Sequence, residues 1–302
     1  RQAGQGNAVE RSENAQEKGR VKHADGWLEL RHSQARGTSR LYRQTWLPDG
    51  EPHAVILLAD GLGEHSGRYT HFGRHCTDRG FAVYALDHYG HGKSEGLAGH
   101  VERFSVYLDG VRALLSRVRE EQPGLPVFML GHSMGGLIAA AFMRESQAGF
   151  RGCVLSGPAL MSDVAPHAIV LWINRLLSRL VPTLPMIGLD PAGVSRDPEI
   201  VRAYVSDPLV HHGKVSARLV AEMMAAMRAT LAGANDIELP LLIMHGEADV
   251  LTSPTGSREL HAHAASDDKT LKLYPGLYHE IFNEPEKDAV LTDMTDWLEA
   301  HL

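Results

Sequence analysis

The chain is poor in cysteine: Cys76 and Cys153 are the only two in 302 residues. So few thiols exclude a disulfide framework, and because each stands inside an apolar segment, both are expected to be small buried side chains in a reducing compartment. No run of Lys or Arg occurs and the formal net charge is −7, so a face that neutralises nucleic-acid phosphates is not expected. No stretch of 18 apolar residues is uninterrupted, which argues against a membrane-spanning helix. The first residues also lack the apolar segment of a secretory signal, and the expected location is cytoplasmic. Residues 1–20 contain no aromatic side chain and mix Arg11, Lys18 and Arg20 with Glu10, Glu13 and Glu17. A flexible tail is expected there.

What is present is an ordinary globular composition, 43 % hydrophobic and 22 % charged, enough for a large core. Two β-rich runs, Trp27 to Arg31 and Leu41 to Trp46, precede a turn at Pro48-Asp49-Gly50 and predict an opening antiparallel pair. Uninterrupted apolar runs follow at Ala54 to Ala59, Phe81 to Leu86, Val127 to Leu130, Cys153 to Leu155, Leu241 to Met244 and Leu271 to Tyr274. Such runs suit strands buried on both faces of a parallel sheet. Between two of them Val111, Leu114, Leu115 and Val118 recur at helical spacing, with Ser105 as the expected cap. The βαβα alternation predicts an α/β fold with a doubly wound, mostly parallel sheet.

The alternation stops over residues 161–234, a predicted insertion between core segments 21–160 and 235–302. Two helices are legible inside it. Ile169, Trp172, Ile173, Leu176, Leu177 and Leu180 form one apolar stripe opposite Asn174, Arg175 and Ser178, and Leu219, Val220, Met223, Met224 and Met227 form a second. Ordinary packing is the first expectation for both, although Met-rich faces also adapt to varied apolar partners.

The sharpest chemical signal is Gly131-His132-Ser133-Met134-Gly135, which follows the strand Val127 to Leu130 and precedes a helical run. Strand, tight turn and helix in that order aim a serine hydroxyl out of the top of a sheet, so Ser133 is the expected nucleophile. Gly92-Lys93-Ser94-Glu95-Gly96 also fits the pattern but lacks the strand and the helix, and Ser94 is expected to lie in a surface loop. A serine needs a base oriented by a carboxylate, in the chain order Ser, acid, His for this arrangement. His279 follows the last strand-like run, while Asp249 and Glu247 both stand after the run before it, and spacing alone leaves the acid open. The oxyanion amides are expected at Met134 and at Leu62 in the glycine-rich loop Asp60-Gly-Leu-Gly-Glu-His65.

Competing chemistries fail on spacing. Gly61 and Gly63 begin a dinucleotide fingerprint, but Ser66 occupies the third glycine position, and Asp87 stands where a P-loop ending in Gly92-Lys93-Ser94 needs its first glycine. His71 and His75 are one helical turn apart without a third metal ligand, so a solvated helix face is expected there. No metal or organic cofactor is implied.

Five segments together resemble the monoacylglycerol lipases and related lysophospholipases of the α/β-hydrolase superfamily: residues 61–69, Asp87 to Gly96, Gly131 to Gly136, Ser206-Asp-Pro-Leu209 and Tyr274 to His279. The resemblance runs from about Leu41 to the end of the chain. It implies an eight-stranded α/β-hydrolase core with flanking helices, a Ser133–Asp249–His279 triad, and a helical cap over the site at 161–234. It further implies glycerol-end contacts at Glu64, Arg68 and Tyr204, an acyl channel with an exposed apolar, membrane-touching face around Ile169 and Ile173, and cleavage of monoacylglycerols to fatty acid and glycerol. The alternatives are a broader carboxylesterase or lysophospholipase, or a weakened hydrolase-fold lipid-binding protein.

Two positions depart from the family pattern. Thr252 stands where vertebrate relatives carry a cysteine, and Asp60 replaces the usual histidine just before the oxyanion loop. An ionised Asp60 at about 6 Å from the oxyanion would cost roughly 2–3 kcal/mol at an effective dielectric near 20; a protonated one would cost much less.

Overall fold

A computed structural model describes residues 22–31, 37–161 and 168–302, with the backbone alone for 168–172. The tail at 1–20 therefore lies outside the described residues. In chain order the elements are β1 (Lys22–Arg31), β2 (Thr38–Leu47), β3 (Ala54–Ala59), α1 (Thr70–Asp78), β4 (Phe81–Leu86), α2 (Ser105–Glu121), β5 (Val127–His132), α3 (Met134–Ser146) and β6 (Gly152–Ser156). There follow α4 (Ala168–Leu180), β7 (Pro185–Ile187), α5 (Pro198–Ser206), β8 (Val215–Ser216), α6 (Ala217–Ala232), β9 (Leu241–Gly246), α7 (Pro254–His263), β10 (Lys269–Tyr274) and α8 (Lys287–Ala300).

Eight strands form one sheet in the order β1-β2-β4-β3-β5-β6-β9-β10. β1, β2 and β4 pair antiparallel and every pair beyond them is parallel. This is the α/β-hydrolase fold. The uninterrupted apolar runs have the expected cause: along β3, Ala54, Ile56 and Leu58 pack into one layer with Phe72 and Met294, while Val55, Leu57 and Ala59 pack into the other with Leu114 and Ile138. Each such burial is worth about 1.5–3 kcal/mol, and removing both faces from water leaves no position for a polar residue. β10 departs from that reading, because it is the edge strand: Thr270 is exposed, the other five side chains are only partly buried, and two of those are Lys269 and Lys272.

Three local expectations are corrected. Ser105 opens α2 but does not cap it; Phe104 is the cap residue and the Ser105 hydroxyl is a buried group without a partner. His71 and His75 are not on a solvated face, since their Nε2 atoms lie 2.9 Å from Phe282 O and 3.3 Å from Thr295 Oγ1. The span between β6 and β9 is not free of strands: β7 and β8 pair as a short antiparallel ribbon, too brief to leave an alternating pattern.

Helix α5 was also legible but unread, for Asp197 accepts from Glu199 N at 2.9 Å and Pro198 takes the first turn, the expected start signal. In α4 the apolar stripe does not pack inward along its described length. Ile173, Leu176 and Leu180 are exposed while Asn174 and Ser178 are buried; Ile169 and Trp172 lie outside the described side chains. Cys76 and Cys153 are fully buried and unpaired, and burial pushes both thiols up.

Candidate active site

The strand order decides which loops meet. β3 lies beside β5, and β9 beside β10, so the glycine-rich loop after β3 meets the turn after β5, and the loops carrying Asp249 and His279 lie next to each other.

Ser133 joins β5 to α3 with φ 55° and ψ −119°, the one non-glycine residue with positive φ among the described residues. A strained backbone of this kind costs about 1–3 kcal/mol and persists only where its surroundings over-determine it. Here Ser133 N donates to Ser156 O at 3.0 Å, and Ser133 O accepts from Ala159 N at 2.9 Å and Leu137 N at 3.1 Å. Glycine is required beside it. A Cβ on Gly135 would stand 2.0 Å from Ala59 O and 2.4 Å from Asp60 O, and one on Gly61 would stand 3.2 Å from the Ser133 Cβ. The loop after β3 thus lies directly against the serine turn. Gly135→Ala is expected to lower stability by about 3 kcal/mol, the upper end of overpacking costs, because both facing atoms are backbone; urea unfolding measures it.

Asp249 and His279 are brought together. His279 Nδ1 lies 2.7 Å from Asp249 Oδ2, and both residues are buried. The other carboxylate oxygen accepts from the amides of Leu251 at 2.8 Å and Thr252 at 3.0 Å. Burial pushes the Asp249 carboxyl up, but the adjacent His279 and the bonds from His245, His279 and the Thr252 amide outweigh it and hold the group well below the usual carboxylate range. For His279 burial works downward and is overcome by the charge and hydrogen bond of Asp249, so the imidazole titrates above its ordinary value. Glu247 is exposed and faces Arg258 at 3.5 Å. Geometry therefore separates the two acids that spacing left equal.

Among the described residues no hydrogen bond joins Ser133 Oγ to His279; catalytic hydrogen bonds are commonly loose until substrate is bound. The His279 ring lies 4.8 Å, centroid to centroid, from that of His132, which immediately precedes the serine. Met134 is the first residue of α3, so its amide belongs to the helix's unpaired N-terminal donors. The Leu62 amide bonds to no acceptor among the described residues.

Two further side chains address the acid, His245, which sequence patterning does not single out, and Thr252. His245, at the end of β9, places Nε2 3.1 Å from Asp249 Oδ2 and Nδ1 2.7 Å from Ser257 Oγ. Thr252 places its hydroxyl 2.9 Å from the same carboxylate oxygen and 3.1 Å from Gly157 O. Nothing in composition separates His245 from the other histidines, because its role depends on α7 supplying Ser257.

Glu64 and Arg68 form a buried network. Glu64 accepts from Gly61 N at 2.7 Å, from Tyr69 OH at 2.8 Å and from Arg68, whose guanidinium also grips Glu280 at 2.7 and 2.8 Å. Burial raises the Glu64 carboxyl, yet Arg68, His132 and the bonds from Tyr69 and Gly61 bring it down to about 2. Tyr204 on α5 is buried with its ring 4.8 Å from the Arg68 guanidinium carbon, and its hydroxyl is pushed up to about 12 by burial, then by Glu64 and Glu280. The loop is tied to the segment after α5 as well, by His65 Nε2 to Asp207 Oδ2 at 2.9 Å and His211 N to Gly63 O at 2.7 Å.

Ser94 lies in a loop, where its hydroxyl accepts from Tyr42 N and donates to Asp87 O. It is a structural clasp. Asp60 is fully buried with neither carboxyl oxygen hydrogen-bonded, and burial together with Glu64 and Asp87 raises it well above the usual carboxylate range.

The family model described as serine aminopeptidase, S33, matches residues 50–286. A monoacylglycerol lipase of Mycolicibacterium smegmatis is 41 % identical over 88 % of this chain and 95 % of its own, and the human monoglyceride lipase is 34 % identical over 85 % and 86 %. The crystal structure of Paleococcus ferrophilus monoacylglycerol lipase superposes with a TM-score of 0.77 at 34 % identity, covering 87 % of this chain and 99 % of that one. A serine turn after a central strand, a bonded acid and histidine on the next loops, and matches along most of the chain have one common reading: the chain belongs to the S33 family of serine hydrolases within the α/β-hydrolase fold, and it is a carboxylic ester hydrolase.

Proposed function

We propose that this enzyme cleaves monoacylglycerols to fatty acid and glycerol through an acyl-enzyme. The observation that carries the reading is the 2.7 Å bond between Asp249 and His279 in the loops beside the strained Ser133 turn. Ser133 Oγ attacks the ester carbonyl while His279 Nε2 takes its proton, and Asp249 holds the imidazole in the tautomer that leaves Nε2 free. The amides of Leu62 and Met134 receive the oxyanion. His279 then passes the proton to the departing glycerol oxygen, and water, deprotonated by the same histidine, releases the fatty acid.

In this reading core segments 21–160 and 235–302 carry the chemistry and 161–234 forms the cap. Glu64, Arg68 and Tyr204 line the glycerol end, Glu64 also bracing the oxyanion loop through Gly61. The apolar side of α4, with Ile173, faces acyl chains and a membrane surface; its exposed Ile173, Leu176 and Leu180 support that, while the Ile169 side chain lies outside the described ones. Among the described residues no helix is long and apolar enough to cross a membrane.

Release of fatty acid from a monoacylglycerol, compared with a lysophospholipid of the same acyl chain, tests the substrate. Faster release from the monoacylglycerol is expected, and equal rates would replace this reading by a broader esterase. Because protonated His279 cannot accept the serine proton, kcat/KM is expected to fall on the acid side with a midpoint above the ordinary imidazole value of about 6.5. A pH–rate profile measures that limb.

A further inference from the structure

Three carboxyl groups stand close together behind the loop after β3, and they differ in what they receive. Glu64 accepts from Gly61 N, Tyr69 OH and Arg68. Asp87 accepts from Ser66 N at 2.9 Å, from Ser66 Oγ, and from Lys93 N at 2.8 Å. Asp60 is far poorer: it is 0 % exposed, neither oxygen accepts a hydrogen bond from another residue, and His88 Nε2 lies 3.3 Å from Oδ1. A carboxylate cut off from both water and donors is too costly to remain ionised and neutralises instead. Its two neighbours have already taken the available donors.

We propose that Asp60 works as a neutral carboxylic acid paired with His88, a positioning residue behind the oxyanion loop, and that loss of its proton switches the enzyme off at alkaline pH. The inference rests on the proposed placing of the oxyanion at Leu62 and Met134.

The groups facing the pair agree. Glu64 on the loop and Asp87 after β4 both oppose ionisation of Asp60, with Arg68 the opposing cation. Tyr69 from the same turn stays protonated, its hydroxyl raised by burial and then by Glu64 and Asp60. His88 is held down to about 3 by burial and by His91, so it remains neutral and supplies no compensating positive charge. Tyr107 of α2 closes the cluster, its ring 5.5 Å from His88 and 6.0 Å from His91, with its hydroxyl unpartnered. An ionised Asp60 would therefore be a third negative charge behind a developing oxyanion. At about 6 Å and an effective dielectric near 20, that charge slows acylation about a hundredfold.

The test is infrared spectroscopy of the protonated-carboxyl carbonyl band, titrated with pH in the unmodified protein and in Asp60→Asn, beside hydrolysis of a chromogenic short-chain ester. The expected result is one band at neutral pH that is absent from Asp60→Asn and bleaches as the pH rises, with the ester rate of the unmodified protein falling about a hundredfold over the same interval. In Asp60→Asn that alkaline fall disappears.

Stability gives a third reading. Between the unfolded carboxyl pKa and the raised folded one, the unfolded chain releases a proton that the folded protein keeps, so stability falls as pH rises. Asp60→Asn removes that slope and is expected to melt increasingly above the unmodified protein as the pH rises from the ordinary carboxyl value of about 4 toward the raised folded one. Absence of an Asp60-dependent band at neutral pH overturns the proposal, as does an alkaline limb unchanged in Asp60→Asn. If Asp60→Asn does not fold, Asp60→His supplies the band-free comparison, and the titration of the unmodified protein still decides. The band needs no substrate, so its absence leaves the monoacylglycerol reading intact, whereas turnover of the short ester without turnover of monoacylglycerol removes only that reading.

Discussion

Ser133→Ala is expected to lower kcat for ester hydrolysis by about a million-fold, the scale seen when a serine hydrolase loses its nucleophile. The magnitude follows from losing the covalent route altogether, and Ser94, the other serine in a G-x-S-x-G pattern, is engaged by Tyr42 and Asp87 in a separate loop. The substitution removes one hydroxyl from a half-buried residue without adding bulk, so the fold is expected to survive. Steady-state release of fatty acid gives the rate, and loss of labelling by a fluorophosphonate shows whether Ser133 was the reactive group. Activity or labelling near the original level would place the nucleophile elsewhere.

Asp249→Asn is expected to cost about ten-thousand-fold in kcat, the scale seen when a triad carboxylate becomes an amide. An amide nitrogen facing His279 Nδ1 donates where the carboxylate accepted, which turns the imidazole to the tautomer whose Nε2 already carries a proton. This site adds a further consequence. His245 and Thr252 also address Asp249 Oδ2, so the amide can orient its oxygen toward His279 only by turning its NH2 toward Leu251 and Thr252 amides that themselves donate. The same replacement removes the charge that raises His279, so the acid limb of residual activity is expected to move to lower pH. A loss of less than about tenfold would mean that Asp249 is not the orienting acid.

The legible parts of this protein were those coded by neighbouring residues. The strand runs from Ala54 to Met244 were readable because burial on both faces admits no polar position. The Gly131 to Gly135 turn was readable because only small residues let the chain pass so near Ala59 and Asp60. The run Leu271 to Tyr274 is the expected strand, but its place at the sheet edge, which leaves it partly buried, depends on its neighbours, and the ribbon of β7 with β8 is too short to leave a pattern of its own. The inward polar face of α4 escaped for a related reason, since an apolar stripe states an amphipathic helix without stating which side meets the core.

The sequence by itself determined the α/β alternation, the serine turn, the order of serine, acid and histidine, and the unusual Asp60, all properties of short segments whose local spacing has a direct physical cause. The tertiary structure decided the rest. It brought Asp249 to His279 and left Glu247 exposed beside Arg258, turned Glu64 and Arg68 into one network with Glu280, placed His245 and Thr252 on Asp249, and buried Asp60 with no hydrogen bond to either oxygen from another residue. These outcomes depend on contacts between residues far apart in the chain, and on burial that shifts charge by excluding water, neither of which is written in the spacing of any one segment.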